Sequence, residues 1–448
     1  MASAVLAAVG FDALGHREAS QMGLTELPIV TIPHEFFGFT DQQIADSADP
    51  MVEGVVHALT TKVETLLKEH AASPWARKSG AAKVKENTEE LADIESPMSA
   101  YDALDIFYQR GWTDGLPIIP PTDDLVSAMM AYTDRSPDDV VGVIKPRDGK
   151  ATVEKIAVNA VMAGCRPEYF PVVLAAVEAV AEPAFNLYTI QATTNPIAPL
   201  VLVNGPVAKE LDMNWSFNAF GQGRRSNATI GRALRLVMMN IGGGVPGAID
   251  KAIHGLPQKY TFCAAENEAE SPWPSLAEER GAPKGSSAVT VIGVLSAQNW
   301  VTWASSPGVI LSTAANAMSA MGTNNTFHGG PSLLVLNPGH ARILAKAGYS
   351  KDDVKRFMFT NARYPVGKLH PEEIPHYQLR RPQYNWGVPL AELPIADKWE
   401  DIFIAVVGAV GMHGLFMPTH GDPSQPITKV IARKDGMPVA SVNDLRRK

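Results

Sequence analysis

A cysteine beside an arginine is the first feature of this sequence that could do chemistry. Cys165 is followed by Arg166 and lies between two predicted helices. A thiol near a guanidinium and a helix N-terminus has a lowered pKa and is partly thiolate. Cys165 is therefore a candidate nucleophile or base. The alternative is that it is a small buried hydrophobic residue, the more common state of a free cysteine.

A run of acidic residues offers a pair of proton-transfer groups. Glu266 and Glu268 stand two positions apart, shortly before a turn rich in proline. Two carboxyl groups so placed can act as general acid and general base, or they can bind a hard cation. We take Glu266 and Glu268 as candidate acid/base partners of the cysteine. A solvated acidic loop is the alternative.

Glycines and arginines that lead into a helix predict an anion site. Residues 221–226 read Gly-Gln-Gly-Arg-Arg-Ser, and Ser226 is the predicted cap of the helix. Arg224 and Arg225 supply charge and forked donors that suit a carboxylate or phosphate. No clear strand precedes the glycines, so the segment is not a dinucleotide-binding fingerprint. The alternative is that both arginines are simply solvated.

Polar residues follow two apolar segments that predict buried strands. Asn204 and Gly205 end the first strand, and Asn337 and His340 follow the second. Open α/β sheets bind ligands beyond the carboxyl ends of their strands, so a polar pocket is expected there. The alternative is that these residues only form good turns. The candidate substrate-binding residues are Asn204, Gly205, Arg224, Arg225, Asn337 and His340.

Two histidines and an aspartate occur close together near the C-terminus, at His413, His420 and Asp422. Imidazole and carboxylate ligands suit zinc or iron. The spacing is neither i, i+4 on a helix nor i, i+2 on a strand. The sequence therefore leaves the cofactor unknown, with a divalent metal as one option. His328 is a further histidine without a predicted place.

The elements that must position these residues predict an α/β protein. In the main body, residues 98–448, amphipathic or apolar helices alternate with short strands rich in Val, Leu and Ile. This pattern predicts mixed or parallel sheets flanked by helices. Residues 1–67 contain two short strands, a helix-compatible segment at 13–23 and a helix at 41–67, which we interpret as a partial α/β domain. The segment 68–97 is rich in Lys, Glu and Ala and predicts a linker or an exposed helix.

The main body also contains a candidate internal repeat. Residues 157–163 match residues 314–320, and residues 200–206 match residues 333–339, with an asparagine at an equivalent point in each pair. Two matches in the same order predict the duplication of a helix–strand unit. Chance similarity between Ala-rich helices and Val/Leu strands is the alternative. The related halves would be approximately residues 140–250 and 289–411.

Composition limits the class of function. The net charge is −8 and no basic block is present, which argues against a nucleic-acid groove or an anionic membrane surface as partner. The 2 cysteines do not allow a disulfide framework or a Cys-rich metal cluster, and they suit a reducing cytosol. The apolar run at 402–410 is shorter than the roughly 20 residues that span a bilayer. We therefore expect a cytoplasmic protein.

Three segments near the N-terminus carry a family resemblance: FDALGHREA at 11–19, LPIVTIPH at 27–34 and VVHALT at 55–60. In these residues the chain resembles the UGSC family of (seleno)proteins. Members of that family carry a Sec/Cys-Gly-Ser-Cys motif N-terminal to this region, which implies thiol or selenol redox chemistry. The present sequence has no such motif, so no reactive residue is transferred to it. The resemblance implies that the chain has lost this centre or that another polypeptide supplies it.

These features together favour an enzyme of the lyase or hydrolase type that acts on a small polar, anionic organic molecule at strand-end loops. It would work as a homo-oligomer, or as a hetero-oligomer with a separate subunit. The alternative is a non-catalytic or incomplete subunit that pairs with a thiol-redox partner polypeptide. Neither nucleic acid nor a membrane is expected as a partner.

Overall fold

The chain divides into two compact units, Met1–Glu86 and Asn87–Lys448. The boundary falls inside the predicted linker at 68–97. The predicted domain limits at residues 67 and 97 stay predictions. The structure, a computed structural model, describes residues 4–8, 11, 15–16, 19, 22–24, 27–32, 41–72, 99–384, 386 and 392–447.

The first unit contains a small parallel sheet and two helices. Strands β1 (Val5–Ala8) and β2 (Ile29–Ile32) pair in parallel. Helices α1 (Asp41–Thr60) and α2 (Val63–Ala72) follow. The sequence predicted a single helix over residues 41–67. The structure has two, and the break between them falls at the consecutive β-branched residues 60 and 61, which have low helix propensity.

The second unit contains the elements that position the candidate site. Its strands are β3 (Val140–Ile144), β4 (Gly149–Thr152), β5 (Ala198–Asn204), β6 (Cys263–Ala265), β7 (Ala288–Val294), β8 (Gln298–Val301), β9 (Ser332–Leu336), β10 (Arg363–Pro365), β11 (Glu392–Pro394), β12 (Ile402–Val406), β13 (His413–Pro418) and β14 (Ile427–Val430). Its helices are α3 (Ala100–Gln109), α4 (Asp123–Met130), α5 (Val153–Ala163), α6 (Phe170–Ala181), α7 (Leu187–Ala192), α8 (Pro206–Glu210), α9 (Arg225–Asn240), α10 (Leu276–Glu279), α11 (Pro307–Met318), α12 (Asn324–His328), α13 (Pro338–Lys346), α14 (Lys351–Asn361) and α15 (Ile374–Arg380).

Two four-stranded sheets form the centre of this unit. The first sheet has the order β14-β7-β5-β6 and the second has the order β12-β9-β13-β8. Within the first sheet β5 runs parallel to β6 and antiparallel to β7. Within the second sheet β9 runs parallel to β12 and antiparallel to β13. The prediction of an α/β fold with mixed sheets flanked by helices is confirmed.

The side chains of β5 and β9 alternate between two hydrophobic cores. Leu200 and Leu202 of β5 belong to a core that the two sheets share. Val201 and Val203 of the same strand belong to a core with helices α5, α6 and α9. Strand β9 alternates likewise between the shared core and a core with α11 and α14. The layers are therefore helix, sheet, sheet and helix, and burial on both faces explains why these strands are continuous apolar runs.

The two sheets share one strand order. Each has a central strand (β5 or β9), a parallel neighbour (β6 or β12), an antiparallel neighbour (β7 or β13) and an outer strand (β14 or β8). The outer strand of each sheet follows, in the chain, the antiparallel neighbour of the other sheet. The matched segments 200–206 and 333–339 therefore begin in the two central strands. The origin of this arrangement by duplication stays a prediction.

No single described helix has both the length and the hydrophobicity to cross a membrane. The helical segments Pro167–Ala181 and Pro183–Ala192, which meet at an angle of 73°, reach that length and hydrophobicity only when taken together.

Candidate functional site

Parallel pairing of β5 with β6 builds the candidate site. Val203 of β5 lies opposite Ala265 of β6. The next residues, Asn204 at the last position of β5 and Glu266 directly after β6, therefore lie at the same edge of the sheet, where α/β proteins bind their ligands. The predicted strand-end asparagine and the predicted acidic pair meet in this way, although 62 positions separate Asn204 from Glu266.

Asn204 links two carboxyl groups. Its side-chain amide donates to Oε2 of Glu266 at 2.8 Å and to Oε1 of Glu268 at 2.7 Å. The backbone N–H of Gly205 donates to the same oxygen of Glu268 at 2.9 Å. Gly205 has a φ of +88°, and a Cβ at this position would collide with the carbonyl oxygen of Ser286, so glycine is required. We call the following residues the strand-end cluster: Asn204, Gly205, Glu266 and Glu268.

Glu266 is the buried member of the strand-end cluster. Its side chain is fully buried, and Nζ of Lys351 lies 3.8 Å from its Oε1. Its carboxylate oxygens also accept the backbone N–H groups of Leu276 at 2.8 Å and Val406 at 3.2 Å. Because Val406 belongs to β12, Glu266 ties the first sheet to the second. Donors on both oxygens satisfy a buried carboxylate, so Glu266 serves as a fixed negative charge.

Glu268 is the solvent-accessible member. The residue is exposed, and both hydrogen bonds of its carboxyl group within the described chain involve Oε1, which leaves Oε2 free. Partial burial of the carboxyl group raises its pKa, and the charges of Glu266 and Glu278 add to this shift. The hydrogen bonds from Asn204 and Gly205 oppose it. A carboxyl group with a raised pKa and a free oxygen can take up and release a proton.

Lys351 was not predicted from the sequence. It is 6% exposed, and its Nζ lies 3.3 Å from Oε2 of Glu279 as well as near Glu266, without hydrogen-bond geometry to either. Burial lowers the pKa of its amine, and Glu266 opposes the shift. One signal in the sequence could have found it. Lys351 directly follows the cap residue Ser350 and is the first residue of α14. A cation is unfavourable at a helix N-terminus because of the helix dipole, so its presence there indicates a stabilising contact with another part of the chain.

Asn337 and His340 form a separate group at the end of β9. Oδ1 of Asn337 accepts the backbone N–H of His340 at 3.0 Å, and its Nδ2 donates to Nδ1 of His340 at 2.9 Å and to the carbonyl of His413 at 2.7 Å. The ring of His340 stacks on Trp300 at 5.2 Å and also bonds the backbone of Thr302. These contacts describe a helix cap for α13. No hydrogen bond among the described residues joins this group to the strand-end cluster, and a pocket common to both stays a prediction.

Cys165 does not have the environment that the sequence predicted. It is 7% exposed, and burial raises the pKa of its thiol to about 12. A hydrogen bond with Thr229 and the charges of Arg225 and Arg232 oppose this shift without outweighing it. The prediction of a lowered pKa was therefore wrong in direction. The thiol is protonated at neutral pH and lacks the thiolate that a nucleophile needs.

The two arginines of the predicted anion site have different partners and different positions relative to the cavity. Nη1 of Arg224 pairs with Asp212 at 2.6 Å on the surface, whereas Nε of Arg225 donates to the carbonyl of Gly164 at 2.9 Å. Arg225 lines a cavity and Arg224 does not. The predicted cap Ser226 is instead the second residue of α9, whose N-cap is Arg224. The hydroxyl of Ser226 donates to the carbonyl of Asp212.

The predicted metal site was wrong. His413 is the first residue of β13, and His420 stands two positions beyond its last residue. At a rise of roughly 3.3 Å per residue these two histidines are about 20 Å apart, so they cannot share an ion. No group of three or more His, Cys, Asp or Glu residues that could hold a metal ion is present among the described residues, which include Asp422.

His420 instead faces His328. Their ring centroids are 6.4 Å apart, His420 is 5% exposed, and neither of its ring nitrogens has a hydrogen-bond partner. Burial lowers the pKa of both histidines to about 4, and the charges of Arg380 and Arg381 add to the shift at His328. Both imidazoles are therefore neutral at physiological pH.

We expect this histidine pair to make the fold sensitive to acid. With an ordinary pKa of 6.5, the unfolded chain takes up protons on His420 that the folded chain takes up only near pH 4. Stability is therefore complete above about pH 6.5 and declines as the pH falls, by about 3 kcal/mol for His420 near pH 4. Chemical denaturation at about pH 7 and pH 4.5 should show a smaller pH effect in His420→Leu than in the wild type.

A matched control isolates this effect. His370, whose side chain is 69% exposed, can be changed to Leu without altering a buried imidazole. The control should retain the pH dependence of the wild type. Asp401, whose pKa is raised to about 6 by burial, stabilises the fold in acid, but it does so equally in all three proteins. An unchanged pH dependence in His420→Leu would contradict the prediction.

No protein-family model matches the chain, and no curated protein matches it significantly. The resemblance of residues 11–60 to the UGSC family stays a prediction. The function of the chain is therefore inferred from the chemistry of its own strand-end cluster.

Proposed function

We propose that this chain is an enzyme of the lyase or hydrolase type, in which Glu268 transfers a proton to or from a small polar organic molecule. One observation carries the proposal: a single amide, that of Asn204, is shared between two carboxyl groups with unlike surroundings. Partial burial beside a second carboxylate raises the pKa of Glu268 toward the range in which a general acid or base works. The position of the cluster at the carboxyl ends of two parallel strands supports the same assignment.

Glu266 has the role of a fixed charge. Its carboxylate accepts hydrogen bonds from β5, β12 and the start of α10, and Lys351 lies beside it. A carboxylate with these donors and no exposed surface cannot reach a substrate. Its negative charge acts on its neighbour instead, because it is one of the charges that raise the pKa of Glu268.

Glu268 has the role of general acid and base. Asn204 and Gly205 hold its Oε1, so the carboxyl group keeps one orientation while Oε2 exchanges the proton. As a base, Oε2 takes a proton from a C–H group or from water. In a lyase reaction the electron pair left on carbon forms the new double bond and expels the leaving group, and in a hydrolase reaction the activated water displaces it. In both reactions Glu268 returns its proton to the leaving group.

A deuterium-exchange screen tests this proposal. The full chain is incubated in D2O with small carboxylic and phosphorylated acids, and mass spectrometry follows loss of each compound or uptake of deuterium. We expect wild-type protein to convert or deuterate at least one compound, because a base that removes a proton from carbon also returns deuterium from solvent. Glu268→Gln, purified identically, should do neither. Equal activity of both proteins, or none in either, would overturn the proposal.

A further inference from the structure

A cavity of about 200 Å³ lies beside α8, which follows the strand-end cluster in the chain. It contains residues from the loop before α6, from the end of α8 and from the start of α9. Its lining residues are Arg166, Glu168, Tyr169, Glu210, Leu211, Asp212, Arg225 and Ser226.

The carboxylates of this cavity are already engaged within the protein. Glu168 pairs with Arg166 at 3.6 Å, and Asp212 pairs with Arg224 at 2.6 Å. Oε1 of Glu210 accepts the hydroxyl of Ser441 at 2.6 Å, and its Oε2 accepts a backbone N–H at 3.1 Å. Each acidic group of the lining therefore already has a hydrogen-bond donor or a cation within the protein as its partner.

The lining has two cations, Arg166 and Arg225, and within the described chain a hydrogen bond fixes the guanidinium of Arg225 alone. Its Nε donates to the carbonyl of Gly164 at 2.9 Å, which fixes the plane of the guanidinium. Within the described chain its Nη1 and Nη2 make no hydrogen bond, so two donors of a forked group remain for a ligand. A planar guanidinium with free donors matches the two oxygens of a carboxylate or phosphate.

From this balance of donors and acceptors we propose that the cavity binds the anionic group of a small molecule, with Arg225 as the recognising residue. The ligand class is a carboxylate or a phosphate monoester small enough for the cavity. The inference rests on the proposed function only in regarding that molecule as a substrate. It also revises the predicted anion site, since Arg225 binds and its neighbour Arg224 does not.

Isothermal titration of the full chain with inorganic phosphate and with succinate tests this inference, and the two probes distinguish a phosphate site from a carboxylate site. We expect saturable binding of at least one probe to the wild type. Binding should weaken roughly 10- to 100-fold in Arg225→Gln, as expected for loss of charge-assisted hydrogen bonds. Arg225→Lys should weaken binding less, because it retains the charge and loses the fork.

Arg110→Gln is the matched control, since it removes an equal charge from an exposed arginine that does not line the cavity. It should bind the probes like the wild type. Equal weakening in both glutamine variants, or no saturable binding of either probe, would overturn the inference. Glu268→Gln should bind normally, so binding without any Glu268-dependent reaction would refute the proposed function alone. A Glu268-dependent reaction without anion binding would refute this inference alone.

Discussion

Replacement of Glu268 by Gln is expected to lower kcat by about 10²- to 10⁴-fold, the usual contribution of a general acid or base. The glutamine keeps the size of the side chain, and its carbonyl oxygen can still accept the hydrogen bonds from Asn204 and Gly205. It cannot take up a proton. KM should change little, because the polar surface that a substrate meets is retained. Initial rates with a compound from the deuterium screen provide the measurement.

The pH dependence of the wild-type rate adds a second readout. If Glu268 acts as the base, kcat/KM rises with pH as its carboxyl group ionises, and the midpoint lies above that of an ordinary glutamate because its pKa is raised. This rise should be absent in Glu268→Gln. A structural defect alone would lower the rate without removing one limb of the profile.

Glu270 offers a matched control in the same loop. It accepts a hydrogen bond from Asn267 at 2.9 Å and pairs with Arg342 at 3.5 Å, and it makes no contact with the strand-end cluster. Glu270→Gln should retain most of the wild-type kcat. If both glutamine variants lose activity equally, the loop is sensitive to any lost charge and the specific role of Glu268 is wrong.

The architecture was predictable because its signals are local. The strands β5 and β9 are apolar runs that end in or directly before an asparagine, and the helices between them have clear caps or periodicity. Burial on both faces gives such runs whatever the strand order. Strand order is not local, and the two face-to-face sheets with exchanged outer strands could not be derived from those runs.

The strand-end cluster was only half predictable. Asn204 and the pair Glu266 and Glu268 were each candidates, but the link between them depends on β6, a strand of 3 residues that the sequence does not mark. Its parallel register with β5 places Glu266 beside Asn204. A short buried strand of small residues has no periodicity to detect, so the proximity of Asn204 and Glu266 is visible only in the folded structure.

The metal prediction failed because residues close in sequence were expected to be close in space. His413 and His420 are close in sequence, and proximity in sequence suggested proximity in space. The residues between them form β13, which is fully extended and moves them to opposite ends of the second sheet. His328, far away in sequence, is the residue that packs near His420.

Replacement of Lys351 is expected to destabilise the protein more than replacement of Glu268, the solvent-accessible member of the strand-end cluster. Lys351→Met should lower the free energy of unfolding by about 3–5 kcal/mol, because it removes the ammonium group beside the fully buried carboxylate of Glu266. The carboxylate of Glu279 also loses Lys351 as a partner, but it stays paired with Lys355. Urea denaturation at neutral pH measures the change. Lys346→Met, at an exposed position of α13, is the control and should stay within about 0.5 kcal/mol of the wild type.

The double variant Glu266→Gln/Lys351→Met separates charge from packing. If the cost of Lys351→Met comes from an uncompensated charge, neutralising Glu266 should recover much of it, as replacement of both members of a buried ion pair is often nearly neutral. If the cost comes from a lost aliphatic contact, the double variant should be no more stable than Lys351→Met. Recovery would show that Lys351 allows a permanent negative charge to be buried next to Glu268. That buried charge helps to raise the pKa of Glu268, so the stability of the two sheets and the acid/base chemistry at their edge would depend on the same ion pair.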